Sequence, residues 1–249
     1  MIELRTETGD GGLRTDSSPS PVLRPPSHVL RAALAIVRKD ALTELRTRES
    51  ITAMLIFAVM AIVMFNFALV RRVDTFRPLT PGVMWVTLVF AGTLGLSRSM
   101  SSEQMNQCLD GLLLAPCDRS AIFIGKALTN LLFMLAVSLV LVPITAILFD
   151  ETLLSLGVFA VVALGCVGYA GAGTLIAAMS ASTRAREVFL PILLFPLVLP
   201  LLTSSVIATS GFLDKLPLME FAPWIGVQFA FSVIFWTAGI LLFEFVVEG

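Results

Sequence analysis

Charge is scarce in this chain. Asp, Glu, Lys and Arg make up 14% of its 249 residues, against 57% hydrophobic residues, and the mean hydropathy is +0.91. Ordinary soluble domains carry about 25% charged residues, so a water-soluble globule is excluded. Histidine is rarer still, since His28 is the sole one. One copy can therefore build neither a bis-histidine cofactor site nor a two-histidine metal centre. Cys108, Cys117 and Cys166 show no metal-ligand or cofactor-attachment spacing. They fall at predicted cytoplasmic or intramembrane positions where disulfides are not expected, and read as structural. A phosphate-cradling loop is missing too: Gly125-Lys126 is followed by Ala127 and lacks the upstream glycine, so the chain should not hydrolyse ATP alone. Within the apolar runs Asn66, Asn130 and Gln228 are uncharged, and Glu187 and Glu244 sit near run ends. That weakens both an ion-coupled carrier and an intramembrane hydrolase. The net charge of −1 gives no reason to expect nucleic acid as a partner.

Long apolar runs are what the chain does have. Spanning a bilayer takes about 20 mostly apolar helical residues. Candidates lie at Ile51 to Val70, Pro81 to Ser97, Ile122 to Phe149, Leu153 to Met179, Val188 to Ile207 and Ile225 to Val247. None shows the period-two alternation of a β-barrel strand. The fold class is thus an all-α polytopic membrane protein with six transmembrane helices. The predicted inner segments carry Arg31, Arg38, Lys39, Arg46, Arg48, Arg98, Arg119, Lys126, Arg184 and Arg186. Arg71, Arg72, Arg77 and Lys215 fall outside, the first three in a loop read as solvated. The positive-inside rule then places both termini in the cytoplasm of a multi-pass protein.

Residues 1–27 mix Gly, Ser, Thr, Pro and charge without apolar periodicity and read as a disordered tail. No apolar core precedes Ile51, which argues against a secretory signal, and Glu3, Glu7, Asp10 and Asp16 argue against a transit peptide. The remaining 28–249 form one transmembrane domain. Its first part, about 28–48, is predicted as an interfacial amphipathic helix. Ser27 can cap it, Leu30, Leu34, Val37, Ala41 and Leu45 recur at helical spacing, and the cations occupy other faces, suited to the lipid bilayer and its anionic headgroups.

A polar segment of about 98–121 separates the second and third runs. Met105, Cys108, Leu109, Leu112 and Leu113 form an apolar stripe, whereas Glu103, Gln104, Asn106, Gln107 and Asp110 stay polar. Pro116 is a stop, Asp118 or Ser120 can start the next helix, and Lys126 is expected to snorkel at its inner end. Periodicity alone suits a coupling helix and an ordinary cytoplasmic loop equally.

The order of residues in this segment adds more. Leu109-Asp110-Gly-Leu-Leu-Leu-Ala-Pro-Cys-Asp-Arg-Ser-Ala-Ile-Phe-Ile-Gly-Lys126 resembles the coupling region of ABC-2 exporter permeases. Together with Arg38-Lys39-Asp40, Leu45-Arg46-Thr-Arg48 and the 191–200 run Pro-Ile-Leu-Leu-Phe-Pro-Leu-Val-Leu-Pro, it resembles more narrowly the heme exporter protein B (CcmB) family. Gln107-Cys108 departs from the Gly-Thr of many exporters. The resemblance implies an ABC-2 exporter-like fold in a bacterial inner membrane. It also implies a non-catalytic permease subunit of cytochrome c biogenesis, with a role in heme export or in ATP-driven release of a heme-loaded chaperone. The implied partners are a cytoplasmic ABC ATPase that supplies ATP hydrolysis, a heme-handling membrane protein with a Trp-rich loop, a small single-span subunit and a periplasmic heme chaperone. A second copy of the chain is a further candidate partner. Glu103, Asp110, Leu112, Leu113, Pro116 and Arg119 would form the ATPase docking lever. No cofactor is expected to be bound directly. Heme is the implied substrate, met through Met or Tyr169, an apolar wall or a partner. A generic exporter of lipid, glycan or drug and a purely mechanical subunit stay open as alternatives.

Two patterns inside the runs carry structural expectations. Gly165, Gly168, Gly171 and Gly173 with Ala170 and Ala172 should let another helix backbone approach closely. Pro191, Pro196 and Pro200 should kink or break the fifth run and turn it towards protein instead of lipid.

Overall fold

A computed structural model of the chain describes residues 26–69, 77–105, 119–180 and 186–248. Among the described residues there are seven α-helices and no strands. They are α1 (Pro26–Thr47), α2 (Glu49–Leu69), α3 (Thr80–Met105), α4 (Arg119–Phe149), α5 (Leu156–Ser180), α6 (Arg186–Leu213) and α7 (Leu218–Glu248). Six of them, α2 to α7, are long and apolar enough to cross a membrane. Helices are the expected solution, because hydrocarbon offers no partner to an unpaired backbone group.

The bundle is built around α4 and α5. Helix α5 packs on α3, α4, α6 and α7, and α4 packs on α1, α2, α3, α5 and α7. Helix α2 lies at the periphery, with Ile56, Met60, Met64, Phe65 and Phe67 facing out. The α1 helix, the elbow to α2 and the ends of α3 and α4 share one end of the bundle. The turns at 77–79, 150–155 and 214–217 form the far end.

Three helices turn out markedly longer than their expected apolar runs, and α3 is one of them, continuing past Ser97 to Met105. The fifth span continues through Thr209, Ser210 and Gly211 to Leu213, and the sixth starts at Leu218, with Pro223 inside it. Tertiary contacts override the polar look of this stretch. Thr209 donates to Ser205 O at 2.7 Å and accepts from Trp85 Nε1 at 2.9 Å, so its hydroxyl is satisfied without water.

The prolines do not break their helix. Helix α6 is continuous across Pro191, Pro196 and Pro200, and Pro196 and Pro200 lie on an exposed face with Ile192, Leu193 and Leu199. Leu190, Leu194, Val198, Leu201, Ser205 and Ala208 form the buried stripe at helical spacing. The expectation that α6 faces protein is therefore corrected: one stripe does, and the rings of Pro196 and Pro200 occupy the other side. The α5 glycines also work differently from the expected backbone-to-backbone approach. A Cβ on Gly165 would meet Trp85, one on Gly171 would meet Trp236, one on Gly173 would meet Leu96, and one on Gly168 would meet Leu201 and Ser232. The missing side chains make room for two indoles and two leucines from α3, α6 and α7.

Uncharged polar groups cross-link the spans. Gln228 on α7 is fully buried and donates from Nε2 to Val161 O at 3.0 Å and to Ser205 Oγ at 2.8 Å. Tyr169 donates to Val89 O at 3.1 Å and pairs with Thr93 Oγ1 at 2.8 Å. Asn130 reaches Thr174 Oγ1, and Asn66 reaches Leu148 O. In a medium as apolar as the side chains themselves, such hydrogen bonds and close packing are what select helix partners.

Candidate functional site

The residues expected to form the docking lever are only partly within view. Asp110, Leu112, Leu113 and Pro116 lie outside the described residues, as do Cys108 and Cys117. Glu103 falls in the last turn of α3 and Arg119 begins α4, but their side chains are outside the described part. What the structure does place is the frame that holds the segment: α3 leads into it and α4 leads out.

Seven residues into α4, about 10 Å along the axis, the chain reaches Lys126. Its ammonium does not snorkel as the sequence suggested. The side chain is 7% exposed and Nζ lies 2.8 Å from Asp40 Oδ2 on α1, while Asp40 Oδ1 lies 3.2 Å from Lys39 Nζ. The reason lies one residue earlier. At Gly125 an added Cβ would sit 2.9 Å from Ile36 Cβ and 3.2 Å from Ala33 O, so only glycine lets α1 come this close. Once α1 is seated there, the lysine has protein above it instead of headgroups, and Asp40 supplies the counter-charge. A buried ion pair of this kind is costly to break from one side, by about 3–5 kcal/mol, because the remaining charge is stranded.

Half-buried Asp40 continues a stripe on α1 whose other members, Ala33, Ile36 and Glu44, are buried, the four standing at i, i+3, i+7 and i+11. Leu30, Leu34 and Leu45 lie beside that stripe and are exposed, and Arg31, Arg38 and Arg46 are exposed further round. The helix thus has one face for α4, and over the rest of its surface exposed leucines and arginines alternate. Its first helical residue is Pro26, so Ser27 lies inside the first turn instead of capping it.

Glu44 explains the elbow. Arg48 adopts φ 53° and separates α1 from α2. Glu44 Oε1 accepts a hydrogen bond of 2.7 Å from the Ile51 backbone N–H, satisfying one of the orphan donors at the start of α2. Arg48 N–H donates back to Glu44 O at 2.6 Å. One residue on, Glu49 lies 3.5 Å from Arg98 on α3, an exposed and therefore weak contact.

Phe123 is a further member of this site that sequence reasoning did not single out. It is fully buried on the first turns of α4, with its ring centroid 5.7 Å from that of Phe243 and 6.2 Å from that of Trp236. A Cβ on Gly239 of α7 would lie 2.6 Å from its Cε2. Gly239 and the two α7 aromatics therefore form a socket for the aromatic next to Gly125. The sequence signal available was the four-residue offset between Phe123 and Ala127 on the helix face that also carries the buried Asn130 and Met134.

Tyr169 is 2% exposed and held by Thr93 and Val89; Met54 and Met134 are buried, whereas Met60 and Met64 face outward. Arg77, expected in a solvated loop, bridges the far end: its Nε lies 2.8 Å from Asp214 Oδ1 and its other nitrogen donates to Leu213 O. Arg71 and Arg72 lie outside the described residues. Cys166 is a free, buried thiol.

A family model described as CcmB protein matches residues 31–243, which takes in most of α1, all six spans and the segment between α3 and α4. A search of curated proteins gives no match. The match covers most of the chain, and the seven-helix arrangement agrees with it. The chain belongs to the CcmB family, the membrane permease subunits of the heme-exporter ABC transporter of cytochrome c maturation, and is a multi-pass protein of the inner membrane.

Proposed function

We propose that this subunit transmits ATP-driven movement. A cytoplasmic ABC ATPase docks on the segment around Glu103, Asp110, Leu112, Leu113, Pro116 and Arg119, and its closure displaces α3 and α4. The single observation that supports this reading is the position of those two helices. In α3, 67% of the apolar window is buried, against 17% in peripheral α2, and α4 contacts α1, α2, α3, α5 and α7. A push on the segment enters the bundle through two helices that each pack on several others. The α1 end faces the cytoplasm in this reading, with both termini inside. The cations placed at that end are Arg31, Arg38, Lys39, Arg46, Arg48, Arg98, Arg119, Lys126 and Arg186, against Arg77 and Lys215 at the far end.

The output of the movement is release of the heme-loaded periplasmic chaperone from a complex that also holds a heme-handling membrane protein and a small single-span subunit. One observation favours passage of heme along this subunit as a second reading. Phe57, Phe90 and Phe195 form a ladder across α2, α3 and α6, with centroids 6.5 and 4.7 Å apart and Phe90 exposed. Such an apolar aromatic face suits a hydrophobic macrocycle without any ligand to its iron. The test of coupling is the double substitution Asp110→Ala with Arg119→Ala, assayed for mature c-type cytochromes at a confirmed level of inserted protein. Coupling predicts loss of cytochromes. Normal assembly in the variant would count against it.

A further inference from the structure

The two helices that flank the segment are joined a second time, through α1 and the elbow. Starting from α4, Lys126 is paired with Asp40 at 2.8 Å, both largely buried. From Asp40, one helical turn of α1 leads to Glu44, whose carboxylate caps α2 at Ile51 across the Arg48 bend. From the first residue of α2, Glu49 meets Arg98 on α3 at 3.5 Å. The chain of contacts therefore runs α4, α1, α2, α3 and closes a loop around the segment.

The links differ in strength in a way that matters. The Asp40–Lys126 pair is buried, has Gly125 against Ile36 beside it, and gains a second cation in Lys39. The Glu49–Arg98 pair is exposed on both sides and screened by salt. At this end of the bundle the α1–α4 joint is thus locked by a buried ion pair, whereas α2 and α3, which pack on each other along their lengths, share only an exposed one.

We infer that α1 is a brace fixed to α4, so that α1 and the α1 end of α4 move as one body and carry displacement of the segment into peripheral α2. Asp40 and Lys126 are its positioning residues. This deepens the coupling reading and rests on it: α1 is a second lever arm, and α2 receives motion through the Arg48 elbow in addition to its own packing on α3 and α4.

The test uses the complete complex in lipid, with Cys108 and Cys117 replaced by Ser. Spin labels are attached through Arg31→Cys on α1 and Leu132→Cys on α4, both at exposed positions. Their distance distribution is measured without nucleotide and with ATP trapped. The brace predicts the same distribution in both states, and a broadened one when Asp40→Asn is added. A nucleotide-dependent change in the unmodified pair overturns it, as does an Asp40→Asn distribution that is no broader. Where Asp40→Asn does not accumulate, the pair in the native background decides alone. In cells, cytochrome yield divided by ATP turnover of the purified complex should fall roughly two- to thirtyfold in Lys126→Met, the range over which residues on a coupling network act. It should recover in Asp40→Lys with Lys126→Asp. An unchanged ratio in Lys126→Met overturns the brace. Failure of the coupling reading itself looks different: Asp110→Ala with Arg119→Ala would then leave cytochromes normal.

Discussion

Replacing Gly165 by Ala should destabilise the bundle, although alanine is the better helix former. The added methyl would lie 2.7 Å from Trp85 Cζ3 and 2.7 Å from Gln228 Nε2, with another ring carbon closer still. Neither neighbour is free to retreat. Trp85 is 2% exposed and held by its hydrogen bond to Thr209, and Gln228 is fully buried between Val161 O and Ser205 Oγ. Overpacking of this kind costs about 1–3 kcal/mol. A lost Trp85–Thr209 bond would add about 1 kcal/mol. The change from glycine returns up to about 1 kcal/mol of helix preference. The net is a loss of about 1–3 kcal/mol. Gly226 is the control, since it is exposed on α7 with nothing within 4 Å of an added Cβ, so Ala there should be neutral or slightly stabilising. Thermal unfolding in lipid-detergent micelles can be followed with a thiol-reactive dye. Cys166, next to Gly165 and fully buried, becomes reactive as α5 separates, provided Cys108 and Cys117 are Ser. Equal midpoints for the two variants, or a higher midpoint for Gly165→Ala, would refute the packing argument.

Three smaller predictions follow from the two ends of the bundle. Glu44→Leu removes the acceptor for the Ile51 N–H, and hydrogen exchange at Ile51 should quicken by about tenfold, as expected for a lost cap; unchanged exchange would mean that water or another group takes its place. Phe123→Ala empties the socket formed by Gly239, Trp236 and Phe243 and should cost about 3–5 kcal/mol, read as a fall in unfolding midpoint larger than that of Gly165→Ala. At the far end, burial holds the Glu151 carboxyl above its ordinary range, against the opposing pull of Arg77 and with help from Asp150 and Asp214. A raised value means that its contribution is intact below the unfolded-state value and is lost as pH rises through the folded one. Glu151→Gln should therefore raise the unfolding midpoint at neutral pH, and the gain should vanish in acid; a gain independent of pH would point to some other cause.

Much of the fold was legible because the bilayer enforces one rule on every span. Six apolar runs appear as α2 to α7, and the helical spacing of Leu30, Leu34, Val37, Ala41 and Leu45 marks α1. The missed features all involve partners that no local pattern names. Asp40 entered only through the Arg38-Lys39-Asp40 resemblance and Glu44 was not singled out, yet they continue the Ala33–Ile36 stripe by i+4 and i+8 from Ile36 and so point where that stripe points. Lys126 looked like a snorkelling residue because the helix covering it lies some 86 positions earlier in the chain. Pro191, Pro196 and Pro200 suggested a break, but α6 runs on through all three, and Pro196 and Pro200 lie on its outer side, clear of the inner stripe. The glycines of α5 gave the correct idea of close packing, though not that Trp85 and Trp236 would fill the space. The proposed lever residues were chosen on resemblance and amphipathic spacing; the structure contributes the frame on either side of them.

The most direct measurement is the heme status of the periplasmic chaperone in cells carrying Asp110→Ala with Arg119→Ala and confirmed to retain the complex. Covalently heme-loaded chaperone and mature c-type cytochromes are quantified together. Transmission of ATP energy to release predicts that loaded chaperone accumulates while cytochromes are missing. Loss of both would contradict release and place the subunit's action at heme supply or loading, along a path such as the Phe57–Phe90–Phe195 face.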